Sequence, residues 1–477
     1  MAINLYTYEN VAKILQTEQQ NGRLKDYTYD SGTGIWMLSM QMKETRKAIK
    51  RAKRDERGEM LLEMKQLQEQ YRVKTKEEHE RIAKEITSRS FQPYIRRRVF
   101  EKDTYIAQDT NTLVVSKIIS KELQQAYGLK PQNRDTIVEQ LRGLLDGAMP
   151  KVVIRADVCD FYESIPQERL IRQIESEGKI SSYSIKYLRS FFYEHNDLRP
   201  LTDISTIGIP RGLAFSAYLS ELYMEPIDAK IRAIPGVYFY KRYVDDMVIV
   251  ANPDKGTPDE YWMQLKQCFD GSGLSIHEDS KKKYVALWNR DTEVAEFPYL
   301  GYAFMYNTGQ LEVLLSDKRY MKYRELIDAV FDIYEKTCHY RKWKKTKLPE
   351  DKRGDALRQL MERLRVLTGN GLLHGHKCFV ACGVYYSNKY LTNTTQLDML
   401  DMYLQETIER RFNPPADLFN YSEVNNHETN VALIKEKLKK FSFKESFNTP
   451  TLNTNKSYVW ELTQLKHIYH NRSGWVS

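Results

Sequence analysis

The chain has 477 residues, 41% hydrophobic and 29% charged, and lysine plus arginine exceed aspartate plus glutamate by 73 − 64 = 9. No run of about 18 apolar residues exists, which excludes a membrane-spanning helix, and the length suits two to four domains of roughly 100–200 residues. Five cysteines without regular spacing exclude a disulfide framework and point to a reducing compartment, hence the cytoplasm. The opening MAINLYTYENVAKIL lacks a basic stretch ahead of an apolar core, so no secretory signal is expected. The positive surplus favours a polyanionic partner, and the 33 tyrosines supply rings on which bases of a single strand would stack.

From Met37 to Ile86 the pattern is helical, with Met60, Met64, Leu67 and Tyr71 forming one narrow apolar stripe on a charged rod. Such a rod buries little by itself, so it packs on the body, on a second chain or along RNA. From Phe91 to Leu315 short strands and helices alternate. VVIRADV reads as a buried strand, IPRGLAFSAYLSELYM as a loop entering a helix, and GVYFYKRYVDDMVIVAN as two strands around an acidic turn. GYAFMYNTGQLEVLL reads as a hairpin turning at Asn307 to Gly309. After Ser316 the pattern is helical: Leu357, Leu360, Met361 and Leu364 share one face, and Leu397, Leu400, Leu404 and Ile408 share another behind a Thr394/Thr395 cap. FNTPTLNTNKS, at 447–457, reads as a linker.

The most informative segment is YVDD at 243–246. Two adjacent carboxylates at a hairpin tip repel each other and cost desolvation, which a divalent cation relieves. RADVCDFYESIP (155–166) supplies the complement, Asp157 at the end of an apolar strand, followed by Phe161 and Tyr162. Asp157 and Asp245, supported by Asp246 and the carbonyl of Val158, would hold the two ions of a phosphoryl-transfer site, Mg²⁺ with Mn²⁺ as substitute. In GIPRGLAFSAYLSELYM (208–224), Gly208, Pro210 and Gly212 let the backbone approach a base pair closely before the helix begins. GLSIHEDSKKKYVAL (273–287) offers a lysine to protonate leaving pyrophosphate, Lys281 first and Lys282 next. EFPYLGYAF (296–304) is a turn and strand suited to support a primer end. The basic segments at 46–57 and 339–347 suit contact with structured RNA.

In order and spacing, these blocks resemble the palm motifs of reverse transcriptases: the first aspartate block, GxPxG, YxDD, the lysine block and LGY. Common members carry Gln, Pro and Asn where this chain has Arg211, Ala217 and Glu221. GIPRGLxxSxxLSELYM, together with RLRVLTGNGLLHGHKCFVACGVYYSN (363–387), is similar to the bacterial abortive-infection and defence-associated reverse transcriptases. The resemblance implies an α+β fold with right-hand fingers and palm on an antiparallel sheet (91–315), a helical arm before it (1–90) and an all-α helical-repeat domain in place of a thumb (316–477). It implies an RNA-dependent DNA polymerase using dNTPs, with a structured non-coding RNA and a DNA product, acting in antiphage defence as a homo-oligomer, a trimer or hexamer rather than a dimer.

Residue by residue, the resemblance places Tyr162 under the sugar as a gate against ribonucleotides, Arg98 or Lys102 on the triphosphate, and Phe161, Arg211, Gly212 and Ser216 around the nucleotide and template. It also admits weak templating, or priming from a tyrosine on a flexible terminus: Tyr6, Tyr8, Tyr458 or Tyr469. His374, His376, Cys378 and Cys382 invite a zinc reading, but no matching CxxC pair exists. The resemblance implies packed helices there, with Cys378 and Cys382 one turn apart. The rival activities are an RNA-dependent RNA polymerase on a similar palm and, from another class, a catalytically dead RNA-binding scaffold.

Overall fold

In a computed structural model of the full chain, residues 5–20, 24, 34–53, 56–99, 102–130, 132–199, 208–290, 296–343, 350–374, 379–412, 427–454 and 465 are described. They form two compact units: residues 1–133 with 152–285, and residues 134–151 with 286–477.

The first unit begins with three helices, α1 (Tyr8–Gln20), α2 (Ile35–Arg51) and α3 (Arg57–Ile86). The expected rod is therefore two helices, which pack on one another. Of the expected stripe only Met64 is fully buried; the far end of α3 instead enters the core through Ile82 and Ile86. Strands β1 (Ile95–Arg98) and β2 (Thr104–Ala107) form an antiparallel hairpin. Helix α4 (Thr110–Tyr127) follows; the Asp109 side chain accepts from the Thr112 N–H and caps it. It is apolar enough to be buried along most of its length, as a central helix must be.

Helix α5 (Arg134–Leu145) belongs to the second unit. Next come β3 (Lys151–Asp157), the short α6 (Phe161–Ser164), α7 (Gln167–Glu177), α8 (Ser182–Asp197), α9 (Ser216–Arg232), β4 (Val237–Tyr243), β5 (Asp246–Ala251), α10 (Pro258–Gln267) and β6 (Tyr284–Trp288). One sheet has the order β4-β5-β3-β6, with β5 antiparallel to both neighbours. Val152, Val153, Met247, Val248, Val250 and Ala251 are fully buried, so both faces of the β3–β5 pair are covered and the strands read as continuous apolar runs. Helix α9 packs on β4 and on α4.

The second unit holds the antiparallel sheet β7 (Phe297–Tyr299), β8 (Tyr302–Asn307) and β9 (Gln310–Leu315), whose last hairpin pairs Asn307 with Gln310 as its turn residues predict. Helices α11 (Asp317–Trp343) and α12 (Glu350–Thr368) follow, with Leu360 and Leu364 buried. The next segment departs from the all-α expectation. β10 (Asn370–His374) and β11 (Phe379–Gly383) pair antiparallel, and β12 (Leu452–Asn453) joins β10 in parallel. Cys382 is thus on a strand, not on a helix with Cys378, and Cys378 and His376 lie outside the described residues. The run NGLLH…FVACG is too short for periodicity to separate strand from helix, and flanking Gly369, Gly371 and Gly383 favour the strand. β12 likewise falls in the expected linker. Helices α13 (Val384–Asn388), α14 (Thr395–Phe412), α15 (His427–Leu438) and α16 (Phe443–Asn448) also belong to the unit, and Leu397, Leu400, Leu404 and Ile408 are all fully buried on α14.

One close approach positions the loop that precedes α9. A Cβ on Gly208 would lie 2.2 Å from the Glu163 carbonyl carbon and 2.3 Å from the Tyr162 oxygen. The neighbouring Ile209 N–H donates to that same Tyr162 oxygen at 2.8 Å. The loop is thereby pressed, backbone against backbone, onto α6. Gly208→Ala is expected to lower unfolding stability by about 1–3 kcal/mol, read as a fall in the denaturant midpoint, because backbone cannot yield as a side-chain tip does.

Candidate active site

The ladder sets Asp157, the last residue of β3, directly opposite Asp246, the first of β5. Asp245 occupies the turn between β4 and β5, and its carbonyl accepts the Val158 N–H at 3.1 Å. Asp157, 88 positions before Asp245 in the sequence (245 − 157), therefore converges with Asp245 and Asp246 at one end of one sheet. Val158 continues β3 through an isolated bridge to Ile276, and the Cys159 N–H donates to the Ser275 carbonyl at 2.8 Å, which brings the lysine block to the same place.

Each carboxylate reports its surroundings. Asp246 is 15% exposed, and burial pushes its pKa up to about 6 against the opposing pull of Arg155. Arg155 grips it through two bonds, Nε to Oδ1 at 2.9 Å and Nη2 to Oδ2 at 3.0 Å. Asp245 is raised by burial first and by the charge of Asp157 second. Asp157 accepts from Lys282 Nζ at 2.6 Å, with His277 Nε2 at 3.6 Å. Arg155 was not among the sequence candidates, yet the signal was present: two residues before Asp157 on a strand, it lies on the same face. Lys282 reaches Asp157, whereas Lys281 is exposed and its backbone N–H donates to Asp279 Oδ1 at 3.0 Å.

Tyr162 is half-buried, and burial raises its phenol pKa. The Arg211 guanidinium lies 4.9 Å from the centre of its ring and bonds Glu163 at 3.1 and 3.2 Å. Phe161 is 1% exposed and packs in the core, and Ser216 is buried with its hydroxyl donating to the Pro210 carbonyl. Gly212 adopts a φ of 101°, and a Cβ there would meet Thr104 Cγ2 at 2.5 Å, so the loop also abuts the β1–β2 hairpin. On that hairpin Arg98 is exposed, and beyond it Lys102 pairs with Asp160 at 3.1 Å. Tyr6 is buried with its hydroxyl 2.9 Å from Ser184 Oγ, Tyr8 is half-buried at the start of α1, and Tyr458 and Tyr469 lie outside the described residues.

Among the described residues no three His, Cys, Asp or Glu side chains already stand as a metal-holding group. The donor chemistry nonetheless fits a hard divalent cation: carboxylate oxygens whose ionisation is opposed by burial and by each other. The same repulsion predicts a stability effect. Asp245 has a folded pKa above its unfolded value, so its ionisation costs stability as pH rises through the folded value. In protein treated with chelator, Asp245→Asn is expected to raise the melting temperature at pH 7, and the gain should shrink toward pH 4 as the wild-type carboxyl takes up its proton. Calorimetry at the two pH values measures this.

Residues 107–304 match the family model described as "Reverse transcriptase (RNA-dependent DNA polymerase)". No curated protein matches the chain. Among solved structures, the telomerase of Candida albicans in complex with a TWJ fragment of telomeric RNA is 10% identical, over 82% of this chain and 67% of that one, with a TM-score of 0.34. The apo telomerase of Candida tropicalis is 11% identical over 81% of this chain and 66% of that one, with a TM-score of 0.36. The chain thus spans about two thirds of the length of these chains. Asp157, Asp245, Asp246, Tyr162 and Arg211 all fall inside the matched segment, and with it this chain carries a reverse transcriptase domain, an RNA-directed DNA polymerase that acts as a nucleotidyltransferase.

Proposed function

We propose that the domain adds dNTPs to a 3′-hydroxyl on an RNA template, with Asp157, Asp245 and Asp246 as the acidic centre. The single observation that carries this is the direct cross-strand opposition of Asp157 and Asp246, with Asp245 in the adjoining turn. Asp157, Asp245 and Asp246, with the Val158 carbonyl, would hold Mg²⁺ or Mn²⁺. When bound, such ions lower the pKa of the attacking hydroxyl and neutralise the triphosphate. The chain's own groups supply the rest. Arg155 orients Asp246, and Lys282, because it reaches Asp157, is preferred to Lys281 as proton donor to the leaving pyrophosphate. Lys102 and Arg98 are the cations for the triphosphate. Changing Asp245 and Asp246 together to Ala should lower dNTP incorporation by at least several orders of magnitude while leaving circular dichroism unchanged. Near-normal incorporation would sink the assignment.

Tyr162 fills the place beneath the sugar. The guanidinium of Arg211 lies over its ring, 4.9 Å from the centre, and steadies it against being displaced by a 2′-hydroxyl. Tyr162→Ala is expected to raise rNTP use relative to dNTP use by about tenfold or more, a single clash being worth 1–3 kcal/mol. Competition between labelled rNTP and dNTP reads the ratio; no change would make the ring a packing residue.

The wider role follows from the motif resemblance: antiphage defence in the bacterial cytoplasm, with a structured RNA bound by phosphate contacts and an assembly of three or six copies. The excess of nine positive charges supports the RNA partner. Where a protein hydroxyl starts synthesis, Tyr8 is the better described candidate, because Tyr6 is buried and burial drives its phenol well above the ordinary range.

A further inference from the structure

The turn that carries Asp245 is held in a conformation its own residues disfavour. Val244 has a φ of 62°, in the left-handed region where a β-branched side chain crowds the backbone. Something outside the turn must hold it there. Its carbonyl oxygen accepts from Arg242 Nη1 at 2.8 Å. Arg242 has a side chain only 2% exposed, and every nitrogen of its guanidinium is engaged. Nη1 also donates to Glu221 Oε1 at 3.0 Å, Nη2 to Glu221 Oε2 at 2.9 Å and to Asp228 Oδ2 at 2.8 Å, and Nε to Asp228 Oδ1 at 3.0 Å. The Tyr240 hydroxyl donates to the same Asp228 oxygen at 2.6 Å, which fixes that carboxylate from the other side.

Glu221 and Asp228 stand seven positions apart on α9, two turns along one face, and Arg242 lies on β4. The guanidinium therefore ties the helix that begins after the Gly208–Gly212 loop to the peptide immediately before Asp245. On the other side of that aspartate, its own carbonyl is fixed to the Val158 N–H. Asp245 is caught between two anchors, one on each neighbouring segment. This also gives a physical reason for Glu221 where common reverse transcriptases carry asparagine: an amide offers one acceptor oxygen, and the fork of Arg242 uses two.

Resting on the polymerase reading of this site, we infer that Arg242, oriented by Glu221 and Asp228, is a positioning residue that holds the Val244 peptide in its left-handed conformation and so aims the Asp245 carboxylate. It touches neither substrate nor ion. Lysine at 242 keeps the charge but presents a point of donors in place of a planar fork, and cannot serve both carboxylates and the Val244 carbonyl together.

The test compares wild type, Arg242→Lys, Glu221→Gln and the double variant Arg242→Lys/Val244→Gly, using Mn²⁺ as the probe ion. Electron paramagnetic resonance titration counts bound Mn²⁺ without turnover, and single-nucleotide incorporation gives kcat and KM for dNTP. Arg242→Lys is expected to weaken Mn²⁺ binding and lower kcat by about 10–100-fold, the scale of a small misplacement of a reacting group, with KM for dNTP nearly unchanged. Glu221→Gln should move both readings in the same direction by less. Glycine reaches positive φ without steric cost, so Val244→Gly in the Arg242→Lys background should recover a substantial part of both losses. Recovery marks a positional role, since a merely structural loss would not be repaired by a glycine in the turn. Unchanged Mn²⁺ affinity and kcat in Arg242→Lys and Glu221→Gln, or no recovery in the double variant, would overturn the inference. Should Arg242→Lys fail to fold, Glu221→Gln alone decides it, since that carboxylate is part-exposed and its loss leaves Arg242 paired with Asp228. A wild type that incorporates no dNTP would refute the polymerase reading, and the Mn²⁺ titration would still decide the role of Arg242.

Discussion

Negative charges placed opposite one another on a single rung of an antiparallel ladder constrain everything around them. Asp157 and Asp246 face each other, Asp245 adjoins, and burial resists the ionisation of Asp245 and Asp246. Left alone, such a group would protonate or splay apart. Cations in the surrounding chain oppose both. Arg155 forks onto Asp246 from the strand that carries Asp157, and Lys282 reaches Asp157 from a segment tied to that strand by the Val158–Ile276 bridge. The sheet sets the repulsion, and cations on adjoining backbone hold it in check.

The second tier of the site consists of backbone placed where only certain residues fit. Gly208 passes within van der Waals limits of the α6 backbone, Gly212 does the same against the β1–β2 hairpin, and Val244 turns through a conformation it resists. These positions cost stability and gain precision. A centre that must keep oxygen atoms in place to a few tenths of an ångström does better on rigid strand ends and pinned turns than on free loops.

Much of this was legible in the residues and some was not. The strand ending at Asp157 and the hairpin around Asp245–Asp246 announce themselves, because buried strands read as apolar runs and paired acids at a tip need a reason. The face of α14 was equally plain from Leu397, Leu400, Leu404 and Ile408. The β10–β11 hairpin was not, since a five-residue apolar run satisfies a strand or a helix turn alike and only pairing decides. The site divided in the same way. Residue type and order pointed to the three aspartates. Their cations were hidden, because Arg155 and Arg242 look like ordinary strand charges until the register and α9 show what they face. Lys281 and Lys282 differ by one position, and the geometry that separates them lies in the turn at Asp279.

The stacking of Arg211 on Tyr162 has a consequence for copying fidelity. Its guanidinium bonds Glu163 through Nε and Nη2 and covers the tyrosine ring, so that edge of its fork is committed to one partner. Within the proposed polymerase, any base edge it reads must be reached by Nη1 from that fixed position. An enzyme built this way ties the check on the sugar and the reading of the template to a single guanidinium.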